Sequence, residues 1–206
     1  LKVLVPSEMG VRWLGRIVSD FIKIYPGIEL HLAMVSASNV LADESFDIAL
    51  HFGRPSNPSL ITKRVATFQR GAFASPGYIQ AHGAPRTPDE LIRHPCILTN
   101  LQRVDDVWTF YRRDYCRIVR PDQMIQVNNI HLVRRLILDG IGVGVLTEVF
   151  YARDLKAQKL VRVLSDWKLT PLQLVLVTPT RSGVSVPTKS FADLLVHRVR
   201  DVSKRS

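Results

Sequence analysis

Apolar and polar positions follow alternating strand-like and helix-like patterns at the start of the chain. Residues 2–5 form a short apolar run, and apolar side chains then recur at three- and four-residue steps over 11–25, until Pro26 ends the pattern. Residues 28–34 alternate apolar and polar types, which predicts a strand with one apolar face. After a polar loop and a short helix, residues 46–52 are almost continuously apolar, which is typical of a buried parallel strand. This β-α-β-α-β order predicts a parallel sheet with helical crossovers.

The elements become shorter beyond residue 66. Asn128 or Asn129 is placed to cap a helix, and Gly140 stands where a helix commonly ends in a glycine. Pro187 can start the last helix. The patterns predict an extended segment over 68–74, a helix over 76–82, turns over 85–95, short strands within 96–127, a helix over 130–139, a strand over 143–146, a helix over 148–155, and strands over 160–164 and 172–177.

Composition limits the class of protein. With 206 residues and 46% hydrophobic residues the chain can build a proper core, and its apolar runs are too short to span a bilayer. The formal charge of +10 suits nucleic acid, acidic lipid or a small anion, or is simply a solvated surface, because the basic residues are spread along the chain. Two cysteines do not make a disulfide scaffold. We interpret Cys96 and Cys116 as reduced, partly buried thiols, which favours the cytoplasm.

Reaction chemistry is not indicated by any motif. The glycines of 140–144 follow a predicted helix and precede a strand, the reverse of the order in a dinucleotide-binding loop. The six histidines show no metal-ligand spacing, and Asp43-Glu44 and Asp105-Asp106 are interpreted as solvated pairs in loops. We therefore expect no metal, no cofactor and no enzyme activity.

Polar residues recur where predicted strands end and helices begin. Ser7-Glu8 follow the first strand, Ser36–Asn39 the second and Gly53-Arg54 the third, while Asn128-Asn129 open a helix. Open α/β sheets bind ligands outside these strand ends, and helix N-termini attract anions. The alternative is that the serines and asparagines are only caps and turn residues, with Ser7 as N-cap of the first helix. Four such loops together favour a pocket.

An ordered set of short motifs resembles the effector-binding domain of LysR-type transcriptional regulators, over the whole chain. Each motif is weak alone, but the order is specific. The motifs are Phe46-Asp47-Ile48-Ala49 through Gly53, Ser59-Leu60 with Lys63-Arg64, Ala74-Ser75-Pro76-Gly77-Tyr78, His82-Gly83-Ala84-Pro85, Pro88 with Leu91, His94-Pro95-Cys96, Trp108 with Phe110, Gly140-Ile141-Gly142-Val143, Leu160-Val161 with Leu164, and Phe191 with Leu194-Leu195.

The resemblance implies an α/β, two-lobed fold like that of type II periplasmic binding proteins, with two Rossmann-like subdomains joined by two crossover strands. Residues 1–75 plus 176–206 would form the first lobe, and 76–175 the second. Family members usually carry an N-terminal winged helix-turn-helix and a long linker helix. Neither is in these 206 residues, so we expect a piece that senses but contacts DNA only through that missing domain.

The resemblance also implies an effector site in the cleft between the lobes. A carboxylate is one candidate effector, because Arg54 can clamp one with two hydrogen bonds. This sequence has His51 where the family often has Arg, Glu8 where small or neutral residues are common, and Thr147 for a usual Pro. Glu8, His51 and His131 also admit a pH-responsive pocket. The expected effector-binding residues are Ser7, Glu8, Ser36, Ala37, Ser38, His51, Arg54, Asn128, Asn129 and His131.

Partners are implied in the same way. Family precedent suggests a homodimer or homotetramer formed through the first helix and the 28–34 strand, whose geometry the effector would bias. No membrane partner is expected. A periplasmic-type solute-binding protein needs the same cleft and is the alternative function. A small enzyme on the same fold would need a base and a nucleophile together, which the sequence does not indicate.

Overall fold

A computed structural model describes residues 1–9, 13–35, 46–55, 57–99, 107–179 and 185–203. The short helix predicted before residue 46 lies outside these ranges. The strands are β1 Lys2–Pro6, β2 His31–Val35, β3 Ile48–Phe52, β4 Leu60–Phe68, β5 Arg70–Ala74, β6 Cys96–Thr99, β7 Trp108–Arg112, β8 Tyr115–Val119, β9 Met124–Val127, β10 Val143–Thr147, β11 Val161–Val163, β12 Lys168–Leu169 and β13 Leu172–Pro179. The helices are α1 Ser7–Met9, α2 Gly15–Ile24, α3 Pro76–His82, α4 Ile130–Leu138, α5 Ala152–Lys156 and α6 Val186–Ser203, with 3₁₀ turns at Pro88–Arg93 and Glu148–Tyr151.

Two compact units make up the chain. The first contains Leu1–Thr67 and Gln173–Ser206, and the second contains Phe68–Leu172. The lobe boundary drawn from the sequence at residue 75 therefore falls later than the boundary between the units. The reason is that β5 pairs with β10 and β11, which places this strand in the sheet of the second unit.

The first unit is built on a five-stranded sheet in the order β2-β1-β3-β13-β4. β1 runs parallel to both β2 and β3, as the sequence predicted, whereas β13 runs antiparallel to β3. Helices α2 and α6 pack together through Phe21 and Phe191, whose ring centroids are 4.7 Å apart in an edge-on arrangement. Both rings are fully buried. Contacts of this kind contribute beyond the burial of apolar area and fix the two helices against each other.

Strand β2 differs from its prediction. It begins at His31, and residues 28–30 lie outside it, because the partner strand β1 begins at Lys2 and these two residues are in register. β2 is the edge strand of the sheet, and its side chains are exposed or half-buried on both faces. The alternation of apolar and polar residues therefore does not reflect a face buried within this chain.

The second unit has a five-stranded sheet in the order β11-β5-β10-β6-β9 and a three-stranded sheet in the order β12-β7-β8. β10, β6 and β9 are parallel to one another, and β5 is antiparallel to β10. Trp108, Phe110 and Leu169 of the small sheet belong to the same buried core as Leu91 and Val143. This core joins the two sheets of the unit.

Helix α4 lies against the large sheet of the second unit, is followed by two glycines that its local geometry requires, and forms an ion pair with α5. Gly140 follows it with φ +77°, a left-handed conformation that favours glycine. Gly142 is required for another reason, since a Cβ there would come within 2.1 Å of the Pro95 carbonyl oxygen. Arg134 binds Asp154 of α5 through two hydrogen bonds of 2.7 and 2.6 Å, which raise the pKa of the guanidinium. The glycines of 140–144 thus end a helix and start a strand, as predicted.

Two elements near the end of the second unit are shorter than predicted. The helix expected over 148–155 is a 3₁₀ turn followed by α5, and the strand expected over 160–164 is only β11. Leu164 leaves the strand with φ +53°, and its carbonyl accepts a hydrogen bond from the Trp167 amide at 2.9 Å. A turn therefore replaces the last residue of the predicted strand.

Candidate functional site

The carboxyl ends of three parallel strands meet at one edge of the first unit's sheet. Pro6, at the end of β1, is in register with Val35, at the end of β2. Leu4 of β1 is in register with Ala49 of β3, so His51 reaches the same level two residues later. Residues that directly follow these strands must therefore lie close to this edge. Open α/β sheets hold their ligands at such an edge.

Ser7 and Glu8 follow β1 in the short helix α1. Ser7 is half-buried, while Glu8 is only 6% exposed. Ser7 is not the N-cap of the first long helix, because α2 begins at Gly15 with Leu14 at its N-cap position. A carboxylate at the depth of Glu8 acts through a medium of lower permittivity than water, so it opposes an anionic ligand more strongly than a surface acid would.

His51 and Arg54 stand at the end of β3. The His51 side chain is half-buried, and its Nδ1 lies 3.1 Å from the Gly53 carbonyl oxygen. Gly53 has φ +76°, and its amide donates to the Gln173 carbonyl at 2.8 Å, which fixes the turn that leads to Arg54. Arg54 is exposed beyond this turn.

The predicted serine loop that follows β2, Ser36 to Ser38 with Ala37, lies outside the described residues. Among the predicted residues of the first unit, the structure therefore brings four to one sheet edge. They are Ser7, Glu8, His51 and Arg54.

Asn128, Asn129 and His131 lie at the corresponding edge of the second unit. Asn129 is the N-cap of α4, and its Oδ1 accepts hydrogen bonds from the amides of His131 at 2.9 Å and Leu132 at 3.4 Å. The capping interpretation is therefore confirmed for Asn129. Asn128 and the side chain of His131 are exposed. Asn129 is exposed as well, so all three predicted residues of this edge are accessible to solvent.

The same edge also carries threonines that sequence reasoning did not select as site residues. Thr99 ends β6 and Thr147 ends β10, and both strands run parallel to β9, which leads to Asn128. Thr147 is 3% exposed. The signal that selected the other residues, a polar residue at the end of a strand, would also have selected these two.

A surface depression of about 650 Å³ lies at the opposite edge of the second unit's large sheet. It adjoins the end of β5 and the end of α4, which approach the amino ends of the parallel strands. From the sequence, Gly140 was assigned only as the glycine that ends a helix, and Ser75 only as part of a family motif. The depression is lined by Ser75, Pro76, Gly77, Tyr78, Ala81, His82, Leu138, Asp139, Gly140, Gln158 and Lys159.

A buried polar network lies beneath the start of α3. The Tyr78 hydroxyl is 2.8 Å from His94 Nδ1, and the Cys96 thiol donates to the His94 carbonyl at 3.3 Å. Cys96 is buried, whereas Cys116 is exposed, and both are free thiols. The prediction of two partly buried thiols is therefore wrong for each, because β6 is a central strand and Cys116 points outward from β8.

Neither a metal cluster nor a membrane span is found in the part of the chain that the structure describes. Within these ranges, no three His, Cys, Asp or Glu side chains are grouped so as to hold a metal ion. None of the described helices is both long enough and apolar enough to cross a lipid bilayer.

Comparison with known proteins decides the family. The sequence model of the LysR substrate binding domain matches residues 1–200. The chain belongs to this family. The resemblance read from its motifs is thereby confirmed.

Curated relatives of this LysR substrate-binding domain are named as regulators. The HTH-type transcriptional regulator PtxR of Pseudomonas aeruginosa is 27% identical over 196 residues, which cover 95% of this chain and 62% of PtxR. The chain spans about six tenths of the length of the curated relatives it matches. These names favour a regulator over the alternative of a periplasmic-type solute-binding protein.

Solved structures confirm the predicted fold of the LysR substrate-binding domain. The Vibrio cholerae virulence activator AphB superimposes with a TM-score of 0.80 at 22% identity, covering 96% of this chain and 67% of AphB. The regulatory domain of CrgA, a LysR-type regulator of Neisseria meningitidis, gives 0.80 at 23% identity and covers 96% of this chain and 97% of that domain. At these identities the likeness concerns the fold alone, which is the predicted α/β fold of two subdomains.

Proposed function

We propose that this LysR substrate-binding domain binds a small-molecule effector through the strand-end edges of its two units. The observation that supports the proposal is the convergence of β1, β2 and β3 on one edge, where Ser7, Glu8 and Arg54 follow the strands and His51 lies near the end of β3. Asn128, Asn129 and His131 hold the corresponding positions in the second unit. The loop containing Ser36, Ala37 and Ser38 completes the proposed set.

The charges at this edge favour an effector with two kinds of group. The exposed Arg54 guanidinium suits a carboxylate, which it can bind through two parallel hydrogen bonds. The buried Glu8 carboxylate opposes a second anionic group and suits a hydrogen-bond donor such as a hydroxyl or an ammonium group. A hydroxy acid or an amino acid carries both groups. This class of effector is therefore our first choice for a search.

Regulation would follow from a shift between conformations. An effector that binds one arrangement of the two units better than another raises the population of that arrangement by its difference in affinity. In a longer protein that carries a DNA-binding domain, this shift would change the geometry with which the oligomer binds DNA. The relatives' name, HTH-type transcriptional regulator, supports this role. We further infer a cytoplasmic, homo-oligomeric protein that binds its effector without converting it.

The experiment is a thermal-shift screen of the purified chain against hydroxy acids, amino acids, simple carboxylates and uncharged sugars. A true effector present at one hundred times its Kd stabilises the folded state by about 2.7 kcal/mol, which raises the melting temperature measurably. We expect Arg54→Ala to remove the shift in melting temperature that a carboxylate produces, because the two hydrogen bonds from the guanidinium are lost.

Arg64→Ala is the matched control, since Arg64 is an exposed arginine of β4 outside the proposed site. It should leave the shift unchanged. A full effector shift in Arg54→Ala would exclude Arg54 from the site. A complete absence of shifts across the collection would count against effector binding by this chain.

A further inference from the structure

The open depression of the second unit lies where three helices begin or end. The start of α3, the end of α4 and the residues that follow α5 line it. Its volume of about 650 Å³ falls within the range of roughly 300–1,000 Å³ that is usual for small-molecule sites. The described strand-end residues proposed for the effector do not line it. The depression is therefore large enough to hold a second, separate small molecule.

Three side-chain donors of this depression have no acceptor among the described residues. Ser75 is 6% exposed, and its Oγ accepts a hydrogen bond from the Tyr78 amide at 3.3 Å, which leaves the hydroxyl proton to be donated. Gly140 leaves this hydroxyl uncovered, since a Cβ there would lie 3.5 Å from Ser75 Oγ. The Gln158 amide group and the Lys159 ammonium are the other two donors. A ligand with acceptor atoms would satisfy all three.

The turn after α5 holds two of these donors in place. The Gln158 amide donates to the Leu155 carbonyl at 3.0 Å, and the Lys159 amide donates to the Asp154 carbonyl at 2.9 Å. Gln158 has φ +52°, a left-handed conformation for which glycine is the usual residue at the end of a helix. A glutamine side chain therefore lines the depression at a position where glycine would be less strained.

The charges and the apolar surface of the depression suit an anion with a short apolar part. Lys159 contributes a positive charge that no described acid pairs with. The acid of the lining, Asp139, is bound by Arg135 Nε at 2.8 Å, which offsets its negative charge. Pro76 of α3 and Leu138 of α4 add apolar surface beside these polar groups. The net charge of +10 also attracts anions to the chain as a whole.

We propose that this depression is a second small-molecule site, which binds a monocarboxylate with a short alkyl chain. Its two carboxylate oxygens can accept about four hydrogen bonds, enough for Ser75, Gln158 and Lys159. The alkyl group would cover the apolar side chains of α3 and α4. A molecule bound there contacts three elements at once, so it stabilises the second unit independently of a ligand at the strand-end edges.

The test is a titration of the ¹⁵N-labelled chain with butyrate, followed by the chemical shifts of the backbone amides. We expect saturable changes at Gly77, Gly140 and Lys159, which line the depression. Butyramide and inorganic phosphate are the comparison ligands. Each should bind about fivefold more weakly or worse, because butyramide lacks the charge and phosphate lacks the alkyl group.

The variant Lys159→Met keeps the length of the side chain and removes its charge. It should weaken butyrate binding about fivefold or more. Lys156→Met is the matched control, because Lys156 is an exposed residue of α5 that does not line the depression, and it should bind as the parent chain does.

Gln158→Gly separates binding from stability. Glycine suits the left-handed conformation, so this variant should unfold at a higher urea concentration. It should nevertheless bind butyrate about twofold more weakly or worse, because one donor is lost. Tighter or unchanged binding in this variant would contradict the proposed site.

The proposal is overturned if butyrate produces no saturable changes at the three amides, or if Lys159→Met binds butyrate as the parent chain does. It is also overturned if butyramide or phosphate binds as tightly as butyrate. Amide shifts at Arg54 report on the strand-end edge of the first unit instead. Arg54→Ala should leave butyrate binding in the depression unchanged, so this proposal and the proposed effector site can fail separately.

Discussion

Three titratable side chains of the second unit are kept in their uncharged forms by burial. Burial lowers the pKa of His94, a shift that Glu90 opposes and His82 reinforces. Burial raises the pKa of Cys96 to about 12, and burial together with the nearby Cys96 raises the pKa of Tyr78. The neutral His94 ring can accept a hydrogen bond from the Tyr78 hydroxyl at Nδ1, whereas in a protonated ring Nδ1 can only donate, so the direction of this bond must reverse. The network is thus suited to a limited range of pH.

We predict that the stability of the chain falls on both sides of neutral pH. Below 6.5, the ordinary pKa of histidine, the unfolded chain takes up a proton that folded His94 resists, so stability is lost as pH falls. Above 9.0, the ordinary pKa of cysteine, the unfolded thiol loses a proton that folded Cys96 keeps, so stability is lost as pH rises. Urea unfolding followed by tryptophan fluorescence at stepped pH measures both slopes.

The acid-side slope is assigned with a pair of variants. His94→Gln should flatten the fall in stability below 6.5, because it removes the group that titrates. His197→Gln is the matched control, since His197 is an exposed residue of α6 and should leave the slope unchanged. An undiminished slope in His94→Gln would assign the acid sensitivity to other groups.

At the scale of elements, α4 shows how a candidate ligand residue can have a structural role. Asn129 accepts hydrogen bonds from two amides at the start of the helix, whereas Asn128, which is equally exposed, lies one residue before the cap. We predict that Asn129→Ala lowers the free energy of unfolding by about 1 kcal/mol, the usual contribution of an N-cap. Asn128→Ala should change it by less than about 0.5 kcal/mol. Chemical denaturation of the two variants gives the comparison, and equal losses would contradict the assignment of the cap.

Elements with local signals and the parallel sheet of β1, β2 and β3 could be predicted from the sequence, whereas the pairing of the later strand β13 could not. The caps and glycine at the ends of α4, and Pro76 at the start of α3, are local signals, and both helices lie where they were predicted. The antiparallel insertion of β13 between β3 and β4 depends on contacts far apart in the chain, which periodicity does not encode. The same limit explains β2, whose start is set by the first residues of β1.

The candidate site was predictable to a similar extent. Strand ends could be found from the sequence, and the structure has Ser7, Glu8 and Arg54 just after β1 and β3, as predicted. Their burial could not be found in this way, because the depth of Glu8 and the exposure of Arg54 depend on tertiary packing. Thr147 was passed over although it satisfies the same rule, and its burial becomes visible only in the structure.

For the whole molecule, the exposed edge strand β2 is the surface proposed to join two copies of the chain. Leu32 and Met34 alternate along it on one face, and Met34 is 58% exposed. We predict that Met34→Glu shifts the chain from dimer to monomer in light scattering after gel filtration, because it places a charge in an apolar interface. Ile61→Glu, on the edge strand β4, is the control and should keep the parent's mass. An unchanged mass in Met34→Glu would exclude β2 from the interface.

The position of β13 has a consequence for how the protein is made. The second unit is one continuous stretch, Phe68–Leu172, whereas the first needs both Leu1–Thr67 and Gln173–Ser206. In the order of the sheet β4 adjoins β13 alone among the described strands, so β4 has no strand to pair with until Leu172–Pro179 has been synthesised. On the ribosome the later unit can therefore close first. Until then the first unit leaves the edges of β3 and β4 unpaired. These edges can pair with strands of other chains, so aggregation is favoured during this interval.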